Sequence, residues 1–399
     1  MSGSPDILMF LTNGFASDPR VEKEAAALIG AGYRVAVLAW DREGSLPSRD
    51  ERNGVAIERF GPSGGHGRGA RNIPGFVSFW RAAAGRASEL QPRALHCHDL
   101  DTAPAGLMAR SRIARSAQGS GRGSDPHADA RTPALVLDFH ELYRQSNMIP
   151  KGIAGTVVGG VATLVERRAV PASDAVLVAN PGSMSAYARY RDRSAFHIIE
   201  NAPDKGRFAP HGPRRTRPDE PLTVGFMGQK RYTASLLDLI EVTQRDERLH
   251  SILAGGGVGA AEVEAAAEGK HRLEVSGRFV YDELPALYAR CDVVHAVYDT
   301  GLGNVRTLFP VKVMEAMACA LPVIVAEGTW VAEYVREHGI GLAVDPGPDP
   351  LRTALTTLLE DPATAREMGR RGRDRIEAGL NWEAVADRLV DVYRGLLGE

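Results

Sequence analysis

The residues best suited to chemistry stand together in Phe309-Pro-Val-Lys-Val-Met-Glu-Ala-Met-Ala-Cys-Ala-Leu-Pro-Val-Ile-Val325. Pro310 is placed to open a helix, Glu315 falls inside it, and the small-residue turn from Ala318 to Leu321 leads into an apolar strand. A carboxylate near a helix start can accept both vicinal hydroxyls of a ribose, while unpaired first-turn N–H groups receive a pyrophosphate. The plainer alternative is a carboxylate that only complements the helix dipole, and the spacing leaves both open. A departing diphosphate gathers negative charge, so fixed cations and N–H donors beside it would carry the rate. Lys230 and Arg231 are the clamp candidates, with Arg306 and Lys312 in reserve; an exposed, solvated basic loop is the alternative. Gly14 follows the first apolar run, where a missing side chain lets backbone N–H groups approach a phosphate, unless it is an ordinary turn glycine. His98 ends Ala94-Leu-His-Cys-His, and a neutral imidazole there can hydrogen-bond a hydroxyl. His96, two residues back on the same strand face, competes with it.

These residues need rigid elements. Strand-length apolar runs at 7–11, 35–39, 55–60, 94–98, 135–139, 176–179 and 197–200 alternate with amphipathic stretches, which reads as βα units on a buried parallel sheet. The first helix is marked by Ser17 or Asp18 as cap, Pro19 in the first turn, Val21, Ala25, Leu28 and Ile29 on one face, and Gly32 as stop. The rhythm resumes at 222–228 and continues through 251–254, 273–275, 293–297 and 322–326. The expected organisation is an N-terminal Rossmann-like domain over 1–204, a linker over 205–221, a second Rossmann-like domain over 222–380 and a closing helix over 381–399. Residues 116–132, rich in Gly and Ser without apolar period, read as a mobile loop. Ligands of such sheets sit beyond the carboxyl ends of the strands, so two facing domains imply a cleft.

With 399 residues, 44% of them hydrophobic, the chain exceeds what one core usually holds. A formal net charge of -2 gives no global field to attract nucleic acid. Cys97, Cys291 and Cys319 are too scattered for a disulfide framework or a zinc site, which fits a reducing cytoplasm. No basic leader or spanning apolar run is present, so the expectation is a soluble, unprocessed protein, with peripheral membrane contact through a helix face left open.

The Phe309–Val325 stretch resembles the donor-site signature of the retaining GT-B glycosyltransferases of family GT4. Further segments follow in that family's order: Thr12-Asn-Gly-Phe-Ala-Ser-Asp-Pro-Arg-Val-Glu-Lys-Glu, His96-Cys-His-Asp-Leu-Asp101, Asp138-Phe-His-Glu-Leu-Tyr143, Glu200-Asn-Ala-Pro-Asp204, Val224-Gly-Phe-Met-Gly228, Ala254-Gly-Gly-Gly257 and Gly277-Arg-Phe-Val-Tyr. Many members carry a second glutamate eight positions before the ribose-binding one; here it is Thr307, while Pro310, Lys312 and Glu315 reproduce the family's Pro-x-Lys-x-x-Glu form.

The resemblance implies a metal-independent transfer of a sugar from a nucleotide-diphosphate sugar to a hydroxyl acceptor, with retention and with the leaving phosphate taking the acceptor proton. A UDP-sugar is favoured, a GDP- or dTDP-sugar is the alternative, and the acceptor is a small molecule, a lipid-linked sugar or a glycan. It also implies that Leu308, Phe309, Lys312 and Glu315 line the nucleotide, that Phe279 and Val280 border the base, and that His98 faces the donor sugar. Asp18, Arg20, His140, Glu141 and Tyr143 are then expected in the acceptor half, with loop anchoring as their alternative. Asp99-Leu-Asp101 has metal-binding spacing, but a helix cap or acceptor contact is the better reading before Pro104. Two rivals stand: an epimerase of the same fold that hydrolyses its nucleotide sugar, and a non-catalytic carbohydrate-binding subunit.

Overall fold

Runs such as Ile-Leu-Met-Phe-Leu and Val-Ala-Val-Leu-Ala-Trp are apolar at every position because helices cover both faces of the sheet they enter. The computed structural model describes residues 4–16, 18–61, 73–119, 132–145, 152–301 and 303–399. The chain divides into two units, one of Met1–Ile199 with Ala386–Glu399 and the other of Glu200–Val385.

In the first unit the strands are β1 (Ile7–Leu11), β2 (Val35–Trp40), β3 (Arg49–Arg52), β4 (Val55–Phe60), β5 (Ala94–His98), β6 (Ala134–Phe139), β7 (Ala175–Val178) and β8 (Phe196–Ile198). They form one sheet in the order β3-β4-β2-β1-β5-β6-β7-β8, parallel except where β3 meets β4. Its helices are α1 (Pro19–Gly30), α2 (Ile73–Leu90), α3 (Ala103–Gly119), α4 (Ile153–Ala172) and α5 (Pro181–Tyr187). Asp18 caps α1 by accepting from the Val21 N–H at 3.4 Å, with Pro19 in the first turn.

The second unit holds β9 (Leu222–Met227), β10 (Leu249–Ala254), β11 (Leu273–Ser276), β12 (Val293–Ala296), β13 (Val323–Ala326) and β14 (Gly341–Val344) in the order β11-β10-β9-β12-β13-β14. Between and after them run α6 (Thr233–Arg245), α7 (Ala260–Ala267), α8 (Leu284–Tyr288), α9 (Val311–Ala318), α10 (Trp330–His338), α11 (Pro348–Glu360), α12 (Pro362–Glu377) and α13 (Trp382–Leu397). No described helix is long and apolar enough to cross a membrane.

Three expectations need correction. The mobile loop was expected to start at residue 116, yet α3 continues to Gly119, its Ser116 hydroxyl donating to the Ile113 carbonyl; residues 120–131 lie outside the described residues. The expected linker over 205–221 is part of the second unit. Phe208 is fully buried edge-on to Tyr281 and Tyr288, and Arg215 donates to the Leu358 carbonyl. Most of α13, from Ala386 onward, belongs to the first unit, so its apolar face closes a different domain from the one before it in sequence.

Candidate functional site

In the second unit, the loops carrying Lys230, Gly255, Phe279 and Arg306 each leave the carboxyl end of a parallel strand, where such sheets hold ligands. The glycines there allow backbone to pack on backbone. Gly255 has φ +132, and a Cβ on it would lie 1.8 Å from the Gly228 carbonyl oxygen. A Cβ on Gly257 would lie 3.0 Å from the Lys230 nitrogen. The Gly-Gly-Gly run therefore locks the β10–α7 loop against the β9–α6 loop.

That lock corrects the expected clamp. Lys230 is fully buried, and its Nζ donates to the Ser276 carbonyl at 2.8 Å, so it braces the loops from within. Arg231 remains exposed, paired with the Gln229 side chain, and Arg306 donates to the Thr300 carbonyl. Lys312 stands out instead. It is 7% exposed at the start of α9, with Nζ 3.3 Å from the centre of the Phe226 ring and 5.3 Å from that of Tyr298. Its amine makes no hydrogen bond or ion pair among the described residues. Burial pushes its pKa down to about 7 although Glu315 pulls the other way.

Glu315 is the fifth residue of α9, because Pro310 is the cap rather than the first helical residue. It is only 5% exposed, and the Tyr288 hydroxyl donates to Oε2 at 2.7 Å, which sets the plane of the carboxyl. Phe309 departs from expectation: its ring is 6% exposed and packs into the core against Trp330 and Tyr334, which takes the side chain out of the loop surface. Leu308 is half-buried, Phe279 rests partly on the core, and Val280 is exposed. The Thr307 hydroxyl turns back to the Asn304 carbonyl.

Sequence reasoning missed three neighbours. Tyr288 carried no signal beyond an apolar helix position. His295, buried on β12 inside Val-Val-His-Ala, is held neutral by burial and by the Lys312 charge, with a pKa down to about 3. Arg278, whose stem would meet a Cβ on Gly256 at 2.9 Å, lay within a quoted motif and is an exposed cation on the same loop set.

In the first unit the chemistry gathers at the carboxyl ends of β5 and β6. Asp138, with no exposed surface, is the centre: Arg20 forks onto it at 2.6 and 3.1 Å, His140 Nε2 lies 2.8 Å away and His98 Nδ1 3.1 Å away. Burial alone would raise its pKa, but Arg20 and His140 hold the carboxyl well below the usual range. His140 is opposed by burial, yet Asp99 and Asp138 raise it to about 9, so it is a cation at neutral pH. His98 is the reverse: burial, then the neighbouring His96, keeps it neutral. With an ionised Asp138 accepting from Nδ1–H, the lone pair of His98 lies on Nε2, a buried atom with no hydrogen-bond partner among the described residues.

Beneath this layer His96 stacks on His98 at 4.1 Å between ring centres and meets the Tyr393 hydroxyl of α13 at 2.7 Å. Glu24, His96, His98 and Asp138 could together offer ligand atoms to a cation. Arg20 pairs with both carboxylates, at 3.0 Å to Glu24 and 2.6 Å to Asp138, and so brings a positive charge into the cluster. His96 lies deeper, with no exposed surface and its Nδ1 at the Tyr393 hydroxyl, while His98, 2% exposed, is the one nearer the strand end; the Nε2 of each is without a hydrogen-bond partner among the described residues.

Other expected acceptor residues are engaged elsewhere. Arg20 is 9% exposed and also donates to the Ile199 carbonyl, and Asp18 is spent on the α1 cap and on Asn13. Asp99, at φ +61, accepts from the His140 N–H, and Asp101 accepts from Thr12 and not from a helix start. Glu141 and Tyr143 are half-buried in the loop after β6. Gly14 differs from expectation too: Arg59 takes its carbonyl at 2.7 Å, a Cβ would meet Leu46 at 2.7 Å, and it is Phe15, at φ +49, that is left-handed among the described residues of the loop.

Residues 17–202 match the model of a glycosyl transferase 4-like domain, and residues 212–375 that of glycosyl transferases group 1. The chain is 26% identical over 258 residues to alpha-maltose-1-phosphate synthase of Mycobacterium tuberculosis, covering 59% of this chain and 66% of that relative, just under two thirds of its length. Its fold is similar to that of sucrose-phosphate synthase from Thermosynechococcus elongatus, with a TM-score of 0.74 at 20% identity over 98% of this chain and 99% of the other. It is also similar to Anabaena HepE in complex with UDP-glucose, with a TM-score of 0.66 at 15% identity over 98% and 99%.

Proposed function

Since the chain belongs to the group 1 glycosyltransferases, of GT4 type and GT-B fold, we propose that it transfers a sugar from a nucleotide-diphosphate sugar to a hydroxyl acceptor with retention of anomeric configuration. The observation that carries the donor side is Lys312, a buried amine without a hydrogen bond or ion pair among the described residues, one helical turn from Glu315 and at the N-terminus of α9. A diphosphate is the complement of such a place: it meets first-turn N–H groups, charges the lysine, and leaves the ribose hydroxyls to the Glu315 carboxylate. Val280 and Phe279 would border the base, and Arg231, Arg278 and Arg306 supply exposed cations to the outer phosphate oxygens. The UDP-glucose held by HepE favours a UDP-sugar here.

On the first unit, His98 Nε2 accepts from a donor-sugar hydroxyl and fixes the reactive face. The charged His140 and the Asp99 carboxylate beside it orient the acceptor, with Glu141 and Tyr143 in the same loop. As the glycosidic bond to the phosphate breaks, Lys312 and the α9 N–H groups take up the charge gathering on the leaving oxygen. That oxygen, on the face the acceptor approaches, then removes the acceptor proton, and no metal is called for. A panel of UDP-, GDP- and dTDP-sugars scored by thermal shift tests this, because the true donor stabilises the fold by mass action. Glu315→Ala is expected to weaken nucleotide binding by about 2 kcal/mol, the loss of charge-assisted hydrogen bonds to ribose. Unchanged affinity in that variant sinks the donor site.

A further inference from the structure

We infer that the outer face of α4 docks on a lipid bilayer surface bearing anionic headgroups. The helix carries Val157, Val161 and Leu164 at i, i+4 and i+7, and they are 54%, 49% and 51% exposed, a continuous apolar stripe. Arg168 continues the stripe and Arg167 flanks it; both are exposed. Between Val157 and Arg168 the stripe is about 16 Å long, the dimension of a helix lying in an interface and not of one that crosses it.

The charge around it is one-sided. α2 packs on α3 and α3 on α4, and these three helices hold seven arginines against two glutamates in a chain whose net charge is -2. Neither glutamate offsets the surface: Glu89 pairs with Arg86, and Glu166 is 2% exposed beneath Tyr190, Arg144 and Arg189. Arg81, Arg115, Arg167 and Arg168 form no ion pair among the described residues. Apolar side chains beside unpaired guanidinium groups match the acyl boundary and phosphate layer of an anionic leaflet. A second copy of the chain fits worse, since a two-fold contact would set this positive face against itself. The geometry also has a use: α4 packs on the turn Tyr143–Gln145 in the loop carrying His140 and Glu141. Docking therefore brings that loop to the lipid surface, whatever the acceptor is.

The test is flotation of the full chain with vesicles of phosphatidylcholine alone and of phosphatidylcholine with phosphatidylglycerol. Binding is expected only to the second, falling as salt is raised. The triple variant Val157→Ser, Val161→Ser, Leu164→Ser and the double variant Arg167→Glu, Arg168→Glu should each weaken it at least about tenfold. All substituted side chains are exposed, so helix content and thermal stability should stay as in the parent. Equal binding to both vesicle types, or variants that bind like the parent, would overturn the inference. So would a dimer in solution that the serine variant dissolves, for the face would then join two copies. None of these readouts depends on sugar transfer, so the docking surface and the donor site can fail separately.

Discussion

His98 and Lys312 are opposite uses of burial. At His98, burial keeps an imidazole neutral while Asp138 fixes its tautomer, so His98→Ala is expected to leave nucleotide affinity unchanged and to lower kcat about 100-fold, the usual scale for a lost positioning contact. A variant that instead raises the nucleotide Kd would place His98 on the wrong substrate. At Lys312, burial sets the ligand-free pKa to about 7, and a bound diphosphate favours the cation. Binding then takes up a proton above that value, so affinity for a sugar nucleotide should fall as pH rises from about 7, while Lys312→Met binds weakly with no pH dependence. Calorimetry in buffers of different ionisation enthalpy reads both. The same shift sets a stability slope: the unfolded chain holds the proton up to its ordinary pKa of 10.5 and the folded chain only to about 7, so this group favours folding more as pH climbs across that window. The candidate residues were legible, since Glu315, His98 and Lys312 stood in recognisable spacing. What each side chain touches was not: Lys230 and Lys312 look alike in sequence, and only packing reveals that one is tied to the Ser276 carbonyl and the other faces two rings.

Among elements, the glycine-locked loops of the second unit are the most demanding. Gly255→Ala places a methyl 1.8 Å from the Gly228 oxygen at φ +132, and about 3 kcal/mol of destabilisation is expected, with nucleotide binding lost alongside. Gly206→Ala, with nothing within 4 Å of its Cβ, is the neutral control. Chemical denaturation of the two variants checks this, and equal midpoints would refute the lock. Strands such as β1, β2 and β5 were plain from sequence because both faces are covered and every residue is apolar. β3, Arg-Asp-Glu-Arg, was invisible for the opposite reason: it is a charged edge strand, and edge strands are kept polar to discourage further pairing.

At the scale of the molecule, α13 could be read as a helix from its period but not assigned to a partner, because an apolar face does not say which core it closes. Tyr393 makes the assignment physical. Tyr393→Phe strands a buried imidazole nitrogen of His96 and should cost about 1–3 kcal/mol, lowering the unfolding midpoint of the first unit without changing nucleotide-induced stabilisation. Loss of nucleotide response in that variant would contradict the separate closure of the two units.

The first unit is written in two pieces with all of 200–385 between them. During synthesis the inserted block can finish its six-stranded sheet while the earlier-made domain still lacks the segment that covers His96, so the domain begun first is the last to be sealed. A purified chain truncated after residue 385 should accordingly yield a protease-resistant core from the inserted block, while residues 1–199 should gain protection only when residues 386–399 are present.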